Sequence, residues 1–126
     1  MTLHFDLYYI SPSDKEIPIK IAKTFKHRFF GLMGQKDEYY GLLLEPCNCI
    51  HTFFMRYPID IIYLDKNNRV ITTTRYIKPF RLTLPVFGAK KVLEFPSSLN
   101  AIAFLKEGTY IDLKKNETPI HLISRS

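Results

Sequence analysis

The chain has 126 residues, 46% of them apolar and 24% charged, proportions that exclude a disordered, collagen-like or coiled-coil protein and fit a single domain, 1–126, around one core. Aromatic residues make up 14%, all Phe or Tyr, a bias that favours strands. The net charge of +6 is unevenly spread, because residues 1–63 carry seven basic and seven acidic side chains while residues 64–126 carry eleven and five.

Leu3, Phe5, Leu7 and Tyr9 alternate with His4, Asp6 and Tyr8, the period of a half-buried strand, and the turn cluster Ser11-Pro12-Ser13-Asp14 ends it. Ile17, Ile19 and Ile21 continue the alternation in a second strand. Thr24 is placed to cap a short helix through Lys26, His27, Arg28 and Leu32, stopped by Gly34. Residues 42–45 and 49–55 read as strands apolar on both faces, which belong in the middle of a sheet or barrel. Residues 59–64 and 69–74 form a hairpin about Asp65-Lys66-Asn67-Asn68, where two Asn residues tolerate the positive φ of a tight turn. After a loop with Pro79 and Pro85 come a strand over 92–95 and a short helix over 99–105 capped by Ser97 or Ser98 and closed near Gly108. Strands around 110–113 and 120–123 complete the chain. The expected class is α+β and β-rich, a mainly antiparallel sheet curled into a barrel-like core with one or two short helices.

Cys47 and Cys49 are too few and too close for a disulfide framework, and their α-carbons on a strand would stand ~6.5–7 Å apart, at the limit for bridging. They are read as reduced. The N-terminus has no basic region followed by an apolar run and cleavage site, and no apolar stretch reaches a membrane span, so the expectation is a cytoplasmic protein. Between Lys66 and Lys91 lie seven cations (Lys66, Arg69, Arg75, Lys78, Arg81, Lys90, Lys91) and no anion, with Tyr76, Phe80 and Phe87 among them. The plain reading is a solvated cationic face; the functional one is weak, non-specific contact with polyanions, nucleic acid included.

Three segments carry a further pointer. Arg28-Phe29-Phe30-Gly31-Leu32-Met33-Gly34 comes first, then Ile50-His51-Thr52-Phe53-Phe54-Met55-Arg56-Tyr57-Pro58-Ile59-Asp60-Ile61-Ile62-Tyr63-Leu64-Asp65, then Pro79-Phe80-Arg81 with Val92-Leu93-Glu94-Phe95-Pro96. In this order they resemble the domain-of-unknown-function family 192, over about residues 20–113. The chain departs from that family's pattern at Pro96-Ser97-Ser98, in place of Pro-Ala-Gly, and at Gly108-Thr109, in place of Gly-Asp. The resemblance implies a β-rich, barrel-like domain and brings no established reaction, substrate or cofactor.

Cys47, Cys49 and His51 share one side of a strand, but i to i+4 spans about 13 Å, so no metal site and no cofactor are expected. Asp60 stands between Ile59 and Ile61, where an ionised carboxylate is costly unless paired. It either pairs with His51 or an arginine in a pocket, or caps the 56–58 loop through backbone N–H groups. Candidate ligand-binding residues are His51, Thr52, Asp60, Arg28, Arg81 and Glu94. No motif supplies a nucleophile with its base. The expected function is therefore a module binding a small or anionic ligand, or a protein partner, around His51, Asp60 and Arg81. The rival is a hydrolase-like enzyme using His51 and Asp60 as acid and base.

Overall fold

Alternating apolar side chains need two packed faces, and the sheet supplies both. The computed structural model describes residues 5–22, 38–53 and 55–117. Among the described residues seven strands form one sheet: β1 (Leu7–Ile10), β2 (Glu16–Ala22), β3 (Gly41–Leu44), β4 (Ile59–Leu64), β5 (Val70–Ile77), β6 (Lys91–Pro96) and β7 (Asp112–Lys115). Their spatial order is β5-β4-β6-β3-β2-β1-β7, and every neighbouring pair is antiparallel except β2 with β3. The sheet curls into a half-barrel whose two edges meet at one end. There Val70 N–H donates to Thr109 C=O (2.8 Å), Gly108 N–H to Val70 C=O (2.7 Å) and Ile111 N–H to Asn68 C=O (3.0 Å).

The inner face takes a side chain from every strand, including Tyr9, Ile19, Leu43, Ile62, Val70, Phe95 and Leu113. Tyr9 spans this core, its hydroxyl donating to Ala101 C=O at 2.9 Å, and burial pushes the phenol up to about 12. Gly41 is required there, since a Cβ would sit 2.7 Å from the Phe95 ring and 2.8 Å from Ile19 Cδ1. The outer face packs Leu42, Leu44, Ile61, Tyr63 and Val92 beneath Ile50, Met55 and Tyr57 of the β3–β4 connection.

The hairpin at 59–77 forms as its pattern indicates. Asn68 adopts φ 68°, and Asp65 Oδ1 accepts from Asn67 N–H (2.8 Å) and Arg69 N–H (3.0 Å); the Arg69 bond above all holds that carboxyl below its usual range. Two expectations are corrected. Residues 99–105 form no helix; the only helical element among the described residues is a 3-10 turn at Ser97–Leu99, because Asn100 (φ 51°) and Phe104 (φ 65°) are left-handed and break a right-handed run. The described residues of 49–55 belong to no strand of the sheet and make one isolated bridge, His51 with Leu82. The first strand starts at Leu7 and the last at Asp112, two residues later than the pattern at 110 indicates. The expected helix through 26–32 and strand at 120–123 lie outside the described residues.

Candidate binding face

Two extended segments, 48–53 and 80–86, lie side by side over the outer face. Val86 N–H donates to Asn48 C=O (3.0 Å), Thr83 N–H to Ile50 C=O (3.0 Å) and Thr52 N–H to Arg81 C=O (2.8 Å). Thr52 is the fastening. Fully buried, its hydroxyl donates to Lys78 C=O (2.7 Å) and accepts from Arg81 N–H (2.8 Å), while its carbonyl accepts from Phe80 N–H (3.0 Å). Thr83 does the same on the opposite segment, its Oγ1 accepting from Ile50 N–H at 2.8 Å. Ile50 and Thr52 point inward, so the period of two turns His51 and Phe53 outward, their rings stacked at 5.4 Å and 24°.

Leu82, opposite His51, faces outward with them. The Phe80 ring lies 6.5 Å from Phe53. Beyond Pro85 the chain turns at Phe87-Gly88, with Gly88 at φ 83° and Ala89 N–H closing onto Val86 C=O at 3.1 Å. Phe87 at the tip is 100% exposed and Leu84 85%. Between this ribbon and the edge strand β5 runs a groove of about 430 Å³ lined by Tyr63, Thr74, Ile77, Leu82 and Leu84, with Arg81 among its walls. Burial raises the Tyr63 phenol, and hydrogen bonds with Thr83 and Thr74 pull it back.

The candidate residues divide among three places. His51, Thr52 and Arg81 meet in the ribbon, where the Arg81 guanidinium turns back onto the carbonyls of Phe80 (3.3 Å) and Pro79 (3.5 Å). Asp60 is elsewhere. It pairs across β6 with Phe95, so it faces the inner core, where Oδ1 accepts from Tyr76 N–H (2.8 Å) and Ser97 Oγ–H (2.7 Å). Arg75 and Tyr76 form a bulge opposite it, and Asp60 serves as that bulge's acceptor instead of capping 56–58. Glu94 pairs with Ile61 and Leu42 and faces the outer core. It is 4% exposed, with no hydrogen bond or ion pair among the described residues, and burial pushes its carboxyl up to about 8. Arg28 lies outside the described residues.

Of the cationic series, Arg69 donates to Gly108 C=O (2.8 Å), Arg75 to Asn100 Oδ1 (3.0 Å) and Lys91 to Asn68 Oδ1 (2.9 Å), and Lys91 also lies 3.8 Å from Glu45. Cys47 and Cys49 are not joined in a disulfide, and the Cys47 Sγ–H donates to Cys49 C=O at 3.1 Å. Among the described residues no three His, Cys, Asp or Glu side chains gather to hold a metal, and no helix is long and apolar enough to cross a membrane. Of the ribbon's outward apolar residues the sequence singles out Phe80 and Phe87, among the cations, and passes over Leu82 and Leu84. Their signal, Phe80, Leu82 and Leu84 alternating between two prolines, is indistinguishable in sequence from a buried strand.

These features define a small β-rich half-barrel with an apolar ribbon strapped over its outer face. The chain belongs to the family DUF192, described as an uncharacterized ACR, which it matches over residues 8–113. It is 37% identical over 86 residues to the UPF0127 protein PH1112 of Pyrococcus horikoshii, covering 64% of this chain and 74% of that one. With the UPF0127 protein of Thermococcus sibiricus it shares 35% identity over 105 residues, 79% of this chain and 68% of that one. Its fold is that of a protein of unknown function from Novosphingobium aromaticivorans, with TM-score 0.69, 22% identity, and 86% and 83% of the two chains covered.

Proposed function

We propose that this protein is a binding module that holds an apolar, anionic partner against the ribbon 48–53/80–87. One observation carries the reading: Leu82 and Leu84 are 72% and 85% exposed on a backbone that Thr52 and Thr83 already fix. Apolar side chains on so constrained a segment cannot fold back to bury themselves, and burying them against a partner costs little ordering of the chain. Charge supports the anionic half of the reading, since Arg81 lies in the ribbon, Lys78 and Lys90 flank it in sequence, and residues 66–91 hold no acid. The groove beside β5 offers a small ligand an apolar trough next to Arg81. An acid–base pairing of His51 with Asp60 lacks comparable support, because the Asp60 carboxylate is taken up by Tyr76 and Ser97 at the inner core.

Anilinonaphthalene sulfonate, itself an apolar anion, tests the reading. The folded protein should raise its fluorescence, and the double substitution Leu82→Ser/Leu84→Ser should abolish most of that rise. The urea midpoint should not change, because both side chains stand in solvent. An equal rise in both proteins would refute the proposal.

A further inference from the structure

The ribbon's partner can be narrowed by its shape. Apolar residues that receive a folded protein or a helix ordinarily line a concavity, whereas Phe87, the most exposed apolar residue of the ribbon, sits on a turn outside the groove that Leu82 and Leu84 line. Phe87 occupies the tip, fully in solvent, with Gly88 behind it at φ 83°. Leu84 and Pro85 lead into that turn and are both exposed. A bulky ring at the apex of a turn presents its whole surface to whatever it enters, and a fluid partner can close around it where a folded surface would need a preformed socket.

Cations flank this turn in the sequence. Lys78 precedes the apolar series by two residues, Arg81 lies within it, and Lys90 follows Phe87 by three; all three are exposed, and no acid occurs from residue 66 to residue 91. An exposed ring on a turn with exposed Lys and Arg on the same ribbon is the pattern of an interfacial anchor, in which rings enter the boundary between headgroups and acyl chains while cations meet anionic headgroups. The fastening of the strap matters equally. Thr52 and Thr83 hold the backbone of 80–83 against residues 50–52, so the apolar residues are displayed on a rigid support.

We infer that the turn 84–88 docks this protein on anionic phospholipid bilayers, Phe87 and Leu84 entering the interface while Lys78, Arg81 and Lys90 contact the headgroups. The inference rests on the proposed binding face and names its partner. An acidic amphipathic polypeptide is the competing occupant; it fits the charge and the groove that Leu82 and Leu84 line, but Phe87 stands outside that groove and would stay in solvent.

The chain contains no Trp, so Phe87→Trp installs a single reporter at a fully exposed position. The probes are vesicles of phosphatidylcholine alone, vesicles of phosphatidylcholine mixed with phosphatidylglycerol, and a soluble acidic peptide rich in Glu and Leu. The mixed vesicles should shift the indole emission to the blue and allow quenching by brominated acyl chains; phosphatidylcholine alone should do neither. In the same background Leu84→Ser should lower partitioning roughly ten-fold. Arg81→Gln and Lys90→Gln should each lower it about five-fold at low salt. Equal binding to both kinds of vesicle overturns the inference. A shift with the peptide but not with mixed vesicles also overturns it and leaves the binding face standing; no shift with any probe overturns it too, and the anilinonaphthalene sulfonate comparison then decides the binding face by itself.

Discussion

Replacing Glu94 with Gln isolates the effect of one buried acid on the stability of the whole fold. The side chain stands between Leu42 and Ile61 on the outer face of the sheet, and burial alone raises its carboxyl from 4.5 to about 8. The folded protein therefore keeps a proton that the unfolded chain releases above pH 4.5. Stability from this group is complete below pH 4.5, falls by about 1.4 kcal/mol per pH unit as pH rises, and reaches its floor above about pH 8. The whole loss is on the order of 5 kcal/mol, a large share of a small domain's stability. An amide has no proton to lose, so Glu94→Gln should give a nearly flat profile across this window. Urea unfolding followed by circular dichroism at successive pH values provides the comparison. The two proteins should unfold at similar urea concentrations near pH 5, and at pH 8 the variant should be the more stable by several kcal/mol. Parallel curves for wild type and Glu94→Gln would show that the carboxylate is solvated or paired in solution, and would refute the reasoning.

Asp60→Ala should cost about 1–3 kcal/mol by stranding the Tyr76 N–H and Ser97 hydroxyl, whereas Asp60→Asn keeps an acceptor and should cost less than about 1 kcal/mol. Equal, negligible shifts in the unfolding midpoints of both variants would remove the bulge cap. Thr52→Val should destabilise the protein by about 1–3 kcal/mol and speed hydrogen exchange at the Arg81 amide, while Thr52→Ser preserves protection there. Protection at Arg81 unchanged in the valine variant would mean the strap is held by other contacts. Gly41→Ala should cost about 1–3 kcal/mol through collision with Phe95 and Ile19, part of it recovered by pairing it with Phe95→Leu. A wild-type midpoint for Gly41→Ala would show that the barrel interior has room at that position.

The strands whose signals are local were legible in the sequence. In β2 the alternation of Ile17 and Ile19 with Pro18 and Lys20 sets the inward face, and in the hairpin of β4 and β5 the Asn68 turn fixes the connection. Signals that depend on distant partners were not. The parallel pairing of β2 with β3 is made across a long connection, and nothing in the two strands specifies it. A serine before an apolar run reads as a helix cap, yet the Ser97 hydroxyl is spent on Asp60, 37 residues away, and the residues after it turn left-handed. Likewise the apolar run at 49–55 serves the outer core through Ile50 and Met55, while Thr52, by bonding Lys78 and Arg81, diverts the segment from the sheet. The join of Thr52 to Arg81 uses the Thr52 hydroxyl and the backbone of Arg81, not its guanidinium, and sequence patterns do not reveal such a backbone partner.

Asp60 and Glu94 show how far one residue of register separates two similar sequence contexts. Each is an acid inside an apolar strand, and the two strands are neighbours. Because Asp60 pairs with Phe95 and Ile61 with Glu94, the acids fall on opposite faces of the sheet. On the inner face a bulge brings the Tyr76 N–H and the 3-10 turn brings the Ser97 hydroxyl, so Asp60 is a satisfied acceptor that shapes the rim of the half-barrel. On the outer face the cross-strand neighbours are Leu42 and Ile61, which offer no donor, and the acid there keeps its proton. Both carboxyls are thereby committed to the fold, one as a bonded acceptor and the other as a neutral buried group. What the structure leaves unspent is apolar surface with cations around it, and that surface lies on the ribbon that Thr52 fastens to the barrel.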